Sequence, residues 1–374
     1  MSPAGLVAPG SPQARTRFAY PQGRAYLDTA SYGLPPRATV AALDRALVSW
    51  SEGRAEWQGD WDVAGDDCRA LAADLFGAGV DEICLLPAVS VGVGTLAASL
   101  GEQDEVVVAD DEFRSLLFPL LVAKQARGVC VRRVPFSALA DSVRSSTTLV
   151  ATSHVRSNGG GLQDLEAIAA AARDVGAEVL VDATHSAGVL RIDAARRGLH
   201  YVVAAGYKDL LCPRGVTFMR IARDCWGRLH PWNANWRSTR EPYVGYYGGS
   251  LVDLAEDAAR YDLSLAWHAW VGARESLRVL ALTELSARER HCVSLASSVA
   301  AALGISATGS SVVGIPVRTT MEETRAALAA AGVVAGFPAG QVRLSFHIYN
   351  DEHECEIAVA ALEPLLKRQA AARN

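Results

Sequence analysis

Several short runs in the middle of this chain stay apolar at successive positions instead of alternating. They are Val106-Val107-Val108-Ala109, Leu149-Val150-Ala151, Val179-Leu180-Val181 and Val202-Val203-Ala204-Ala205. A strand with one wet face alternates, whereas a strand buried on both faces reads as a continuous run. Segments with helical spacing, such as Ser115–Arg127 and Leu162–Val175, separate them. Alternation of this kind predicts an α/β chain: a mostly parallel sheet with helices on both sides, in three αβα layers. The strands are expected at Ile83–Leu86, Val106–Ala109, Val129–Val134, Thr148–Ser153, Glu178–Asp182, Tyr201–Ala205 and Val216–Ile221.

Past Arg223 the pattern changes. Leu229–Ser250 is dense in Trp, Tyr, Gly and Pro and reads as a long loop, a kind that is often functional. A helical region, Trp267–Leu303, then leads to a smaller α+β portion with strands Val312–Val317 and Gln341–Phe346. A length of 374 residues suggests two domains. The expected division is a flexible lead-in over 1–20, a large domain over 36–259, and a small domain built from 21–35 with 260–374. The Trp-rich segment Glu56–Trp61 is expected to be loop.

Composition narrows the functional classes. Half the residues are hydrophobic, 21% are charged, and the net charge of −5 is spread without blocks. That argues against a nucleic-acid partner. No apolar run reaches the length of a membrane span, and the N-terminus has no signal-peptide core. Seven cysteines form no C-x-x-C pair, which suits free thiols in a cytoplasmic protein and no metal site. The histidines likewise show no metal-ligand spacing.

Two strand ends carry chemistry. Val181-Asp182 is followed by His185, and Ala204-Ala205 by Gly206-Tyr207-Lys208, 26 positions after the acid (208 − 182). A lysine amine can hold an aldehyde cofactor as a Schiff base and later move a proton. Pyridoxal phosphate works as an electron sink only while a carboxylate keeps its ring nitrogen protonated. Strand ends in α/β sheets are where such groups collect. Lys208 and Asp182 are therefore the candidate catalytic pair, although either residue alone is a commonplace way to end a strand.

Val91-Gly92-Val93-Gly94-Thr95-Leu96-Ala97 has the form of a dinucleotide fingerprint, the best case for a nicotinamide-dependent dehydrogenase. Pro87–Ser90 separates the strand from those glycines, however, so the tight turn is missing. Ser90 and Val91, at a helix start, suit a single phosphate instead. Phe113 is either a core aromatic or a ring stacked on a planar cofactor. Arg343 stands alone in an apolar strand. Burying it unpaired would be costly, so it requires an anion: a structural partner or a substrate carboxylate.

On these residues the chain resembles the class V aminotransferase superfamily of fold-type I pyridoxal-phosphate enzymes. That group includes cysteine desulfurases, isopenicillin N epimerase-like proteins, kynureninase and C–S lyases. Tyr26-Leu27-Asp28-Thr29-Ala30 resembles "YLDNAA", and Glu112-Phe113-Arg114-Ser115 the "EHHAN" region. Asp182-Ala183-Thr184-His185 is similar to "DGAH", Ala205-Gly206-Tyr207-Lys208 to "SGHK", and Arg343–Asn350 to "RLSFHIYN". The resemblance implies a homodimer acting on an amino acid. It implies Lys208 as the Schiff-base lysine, Asp182 on the pyridine nitrogen, His185 on the phenolic oxygen, Tyr207 on the phosphate and Arg343 on the substrate carboxylate.

Three departures matter. Ala205 replaces a phosphate-binding serine, and Ser157-Asn158 stands where an asparagine is usual, with a one-residue ambiguity. The loop Gly336–Gly340 lacks the cysteine that desulfurases use to form a persulfide. The expected activity is β-elimination from a cysteine S-conjugate, a C–S lyase, with the Trp232–Tyr247 stretch either lining a pocket for a bulky S-linked group or packing at an interface. Transamination or epimerisation of a specialised amino acid is the alternative, and a binding module without enzymatic activity comes last.

Overall fold

The computed structural model describes residues 6–367. The first half runs α1 (Pro12–Thr16), β1 (Ala25–Tyr26), α2 (Arg37–Ser51), α3 (Val63–Phe76), β2 (Ile83–Leu86), α4 (Val89–Ala97), β3 (Glu105–Ala109), α5 (Arg114–Arg127) and β4 (Cys130–Val134). Then come β5 (Leu149–Ser153), α6 (Leu165–Val175), β6 (Glu178–Asp182), α7 (Ala194–Arg197), β7 (Tyr201–Ala205) and β8 (Thr217–Ile221). The last part holds α8 (Trp267–Leu280), α9 (Leu285–Ala302), β9 (Val312–Ile315), α10 (Met321–Ala330), β10 (Val333–Val334), β11 (Val342–Ser345) and α11 (Glu352–Lys367).

Seven strands form the main sheet in the order β2-β8-β7-β6-β5-β3-β4. Strand β8 is antiparallel to both its neighbours, and the pairings from β7 through β4 are parallel. The continuous apolar runs have their physical reason here. Val107, Val150, Val181 and Val202 join one core with α3, α6 and α8, while Val106, Leu149, Leu180 and Val203 join another with α4 and α5. Every central strand is thus apolar on both faces, as a three-layer αβα sandwich demands. A third core gathers β1, β9, β11, α9 and α11. Strand β1 pairs in parallel with β10, which ties the N-terminal segment to the C-terminal α+β part.

Four local expectations change. Residues 1–5 of the expected flexible lead-in lie outside the described residues, but from Val7 onward the chain is tied down. Val7 N–H donates to Leu282 O, Gly10 N–H to Ile348 O, and Arg15 pairs with Asp351 at 2.5 Å and Glu354 at 3.1 Å. Trp57–Asp62 is a wide helical turn, not loop, because its tryptophans pack. The helical region after Trp267 is two helices: Thr283 turns its hydroxyl onto Leu280 O and ends the first. The glycines of the apparent dinucleotide fingerprint lie inside α4, where a Cβ on Gly92 would fall 2.7 Å from Met219 Sδ. Gly92 lets a helix approach the sheet; it makes no dinucleotide turn, and the dehydrogenase reading goes with it.

Candidate active site

The parallel strands deliver their C-terminal ends to one edge of the sheet, and a cavity of about 160 Å³ opens there. Asp182 closes β6. Its Oδ1 accepts the Thr184 N–H at 2.9 Å, and the Thr184 hydroxyl accepts the Ala205 N–H at 3.0 Å, so the ends of β6 and β7 are stitched together. After β7 the chain turns through Gly206, where a Cβ would stand 2.9 Å from Cys212 Cβ. That turn carries Tyr207 and Lys208 into the cavity. Gly33 packs against the same turn from the N-terminal segment, its N–H donating to Tyr207 O at 2.9 Å.

Lys208 is 6% exposed, and its Nζ lies 3.0 Å from His185 Nε2. The Phe113 ring centre is 5.4 Å from that amine. Burial, and then the positive charge of Arg343, bring the lysine down to about 8. Burial and the two cations Lys208 and Arg343 push His185 well below the usual imidazole range, so it is neutral. Its Nε2 also meets Ser157 Oγ at 3.2 Å, while its buried Nδ1 has no partner among the described residues. Burial raises Asp182, with hydrogen bonds from Thr184 and the charge of Lys208 opposing it.

Phe113 caps the start of α5. Glu112 fixes it in place by accepting the Phe113 N–H at 2.7 Å, the Ser153 N–H at 2.8 Å and the Ser153 hydroxyl at 2.5 Å. At the far end of the cavity α4 begins at Val89, and Ala88 before it offers no side-chain cap. The first backbone N–H groups of this helix therefore lack intrahelical partners. Ser90 lines the cavity there. Val91 does not: it falls outside the lining, and its N–H is already given to Ala88 O at 3.1 Å. Position 91 thus contributes neither a side chain nor a free donor.

Arg343 sits just behind the cavity wall. Nη1 donates to Ser157 O at 2.8 Å, and Nη2 to Ser31 Oγ at 2.9 Å and Asp28 Oδ1 at 3.5 Å. The anion that its burial requires is Asp28, at a long distance, and its buried Nε has no acceptor among the described residues.

Asp182, His185, Tyr207, Lys208, Phe113 and Ser90 thus converge on one cavity, with Arg343 joined to it through Ser157. The sequence did not single out Ser153, Thr184, Arg214 or Thr217, which also line it. The Ser157-Asn158 ambiguity resolves in favour of Ser157, since Asn158 turns to Asp111 at 3.2 Å. No residue of the Trp/Tyr stretch lines the cavity, and Trp232 and Tyr247 are exposed. Trp236 and Tyr243 pack against Trp57, which stacks on Trp267 at 5.0 Å, beside an ion cluster of the buried Arg237, Asp62 and Asp262, with the exposed Asp66 at its edge.

Residues 26–314 match the family model described as "Aminotransferase class-V". The chain belongs to the class-V aminotransferase family. A "Probable cysteine desulfurase" of Methanothermobacter thermautotrophicus is 26% identical over 344 residues, covering 80% of this chain and 83% of the relative. Two solved structures share the fold. One is a cysteine desulfurase from Thermococcus onnurineus NA1, with TM-score 0.80, 19% identity, and 95% and 98% of the two chains covered. The other is the cystine C–S lyase C-DES with its product cysteine persulfide, with TM-score 0.82, 21% identity, and 92% and 98% covered.

The class-V chain is a pyridoxal-phosphate-dependent enzyme, and the residues present fit that cofactor. A near-neutral lysine, a buried carboxylate, an imidazole with an unused nitrogen, an open aromatic face and an uncapped helix start are the donor set it needs. None of the described residues forms a metal-binding cluster, and no described helix is long and apolar enough to cross a membrane.

Proposed function

We propose that this enzyme cleaves the C–S bond of a cysteine-derived amino acid by β-elimination, releasing a thiol or persulfide and, with one water consumed, pyruvate and ammonia. The observation that carries this reading is the pairing of a lysine-centred site with a cavity lining that contains no cysteine; Cys212, behind the Gly206 turn, is buried in the core. The loop Gly336–Gly340 has none, and six of the seven cysteines are buried in the cores. The exception, Cys130, opens the edge strand β4 at the end of the sheet opposite the cavity. An enzyme-bound persulfide therefore has no sulfur to form on.

Pyridoxal phosphate, when bound, supplies the electron sink for a carbanion at the substrate α-carbon. The chain supplies the rest. Lys208 Nζ holds the cofactor and, once free, accepts the α-proton, for which a pKa of about 8 is well matched. Asp182 would keep a proton on the pyridine nitrogen, and Phe113 would cover one ring face. His185, neutral and fixed by Ser157, offers Nδ1 as a hydrogen-bond partner for the phenolic oxygen. Arg343, oriented behind the cavity wall by Ser157, Ser31 and Asp28, is the cation that a substrate carboxylate would turn to. Electrons of the broken C–S bond leave with sulfur.

C-DES, whose fold this chain shares, is described as a cystine C–S lyase, and one of its structures has glycine covalently linked to the pyridoxal-phosphate cofactor. That activity supports the reading. A homodimer is part of the proposal: Phe118 and Val122 on α5 are 48% and 62% exposed and line an apolar groove beside α4 that a second copy would cover. The unpaired thiols suit a reducing, cytoplasmic setting.

The test is a paired assay of the cofactor-loaded enzyme with cystine and with cysteine S-conjugates. Pyruvate and thiol released in equal amounts support the proposal. Transfer of the amino group to an added keto acid without pyruvate would replace lyase by aminotransferase.

A further inference from the structure

We propose that Arg214 is the cation that binds the cofactor phosphate, standing in for the hydroxyl that this chain lacks at Ala205; this rests on the pyridoxal-phosphate reading above.

The sheet order supplies the geometry. Strand β8 lies between β2 and β7, and its first residue, Thr217, is opposite both Leu86 and Ala205. The residues just before β8, Arg214 and Gly215, consequently enter the cavity between the start of α4 and the Tyr207–Lys208 turn. Asp182 is one strand further along, on β6. With Asp182 placed for the ring nitrogen, Lys208 for the aldehyde and His185 for the phenolic oxygen, the α4 end of the cavity would be left for the phosphate. Three groups there favour an anion: the open N–H groups of α4, the Ser90 hydroxyl and the Arg214 guanidinium.

Arg214 is exposed where it lines the cavity. Among the described residues no ion pair or side-chain hydrogen bond engages it, and the Tyr207 ring lies 5.1 Å from its guanidinium carbon. The other arginine tied to the site, Arg343, is held by Ser157, Ser31 and Asp28. Gly215, at φ +99°, adopts a conformation a side chain resists, so the turn that brings Arg214 to the cavity depends on a glycine there. A charged fork without a counter-ion, placed at the phosphate end of the cavity, is suited to bidentate phosphate binding.

The experiment compares pyridoxal phosphate with pyridoxal, which lacks only the phosphate, for the wild type and Arg214→Gln. Affinities are read from cofactor absorbance and protein fluorescence. The expected result is a rise in the pyridoxal phosphate Kd of roughly tenfold to a hundredfold, with the pyridoxal Kd unchanged. Arg214→Lys should recover part of the loss. Inorganic phosphate should raise the unfolding midpoint of the apo wild type more than that of the variant. A variant that keeps the full preference for pyridoxal phosphate overturns the inference. So does an equal loss for both ligands, which would place Arg214 on the ring or on the fold. If the wild type binds neither ligand, the cofactor reading itself falls, and this assignment with it.

Discussion

The ionisation of Lys208 is the most exacting consequence of the site's geometry. Burial, then the positive charge of Arg343, lower it from 10.5 to about 8, against the opposing pull of Asp182, Asp209 and Asp28. At 1.36 kcal/mol per tenfold, the protonated amine costs about 3 kcal/mol more here than in water. At pH 7.5 about a quarter of the lysine is then neutral, against about one part in a thousand for a free lysine, a gain of about 200-fold in nucleophile. Capture of pyridoxal phosphate by the apoenzyme, followed by visible absorbance in a stopped-flow instrument, should accelerate with pH around a midpoint near 8. Arg343→Gln removes the second cause of the shift and should move that midpoint upward; Asp182→Asn removes an opposing charge and should move it down. Because the unfolded lysine still binds a proton between pH 8 and 10.5, its contribution to apoenzyme stability rises with pH across that window. A midpoint at 10 or above, or one indifferent to Arg343→Gln, would refute the reasoning.

Two further predictions concern other parts of the molecule. Arg237→Ala should destabilise the fold by about 3–5 kcal/mol in urea unfolding. It strips the cation from Asp62, which is fully buried and left with only Tyr243 and Trp267 as donors; a loss under about 1 kcal/mol would contradict a buried ion cluster. Alkylation of the native enzyme, which reaches the exposed Cys130, should leave turnover intact. Inactivation would reopen persulfide chemistry.

The sheet was legible in the sequence because its strands are sealed on both faces. Runs such as Val106–Ala109 admit no wet side, and a residue that ends such a run must emerge at the sheet edge. Asp182 and Lys208 are found there for that reason. Legibility ended where partners are distant in sequence. Nothing local announces that Trp236 and Tyr243 meet Trp57, some 180 residues earlier (236 − 57 = 179), rather than substrate. Aromatic composition predicts burial but not the surface that provides it. The same limit applied at Ser157 and Asn158, where a single-residue difference in turn geometry decides which side chain faces His185. The helix start at Ser90 was recognisable, but Val91 was not separable from it, because only the local hydrogen bond to Ala88 removes its donor. Arg214 went unnoticed because its significance comes from the insertion of β8 between β2 and β7, which is a matter of sheet order.

The most direct test of the central claim is borohydride reduction of the cofactor-loaded enzyme followed by peptide mass mapping. A yellow protein that bleaches and carries one pyridoxyl group on the peptide containing Lys208, and that takes up no label as Lys208→Ala, is the predicted result. A label on any other residue, or a colourless protein that takes up none, would contradict it.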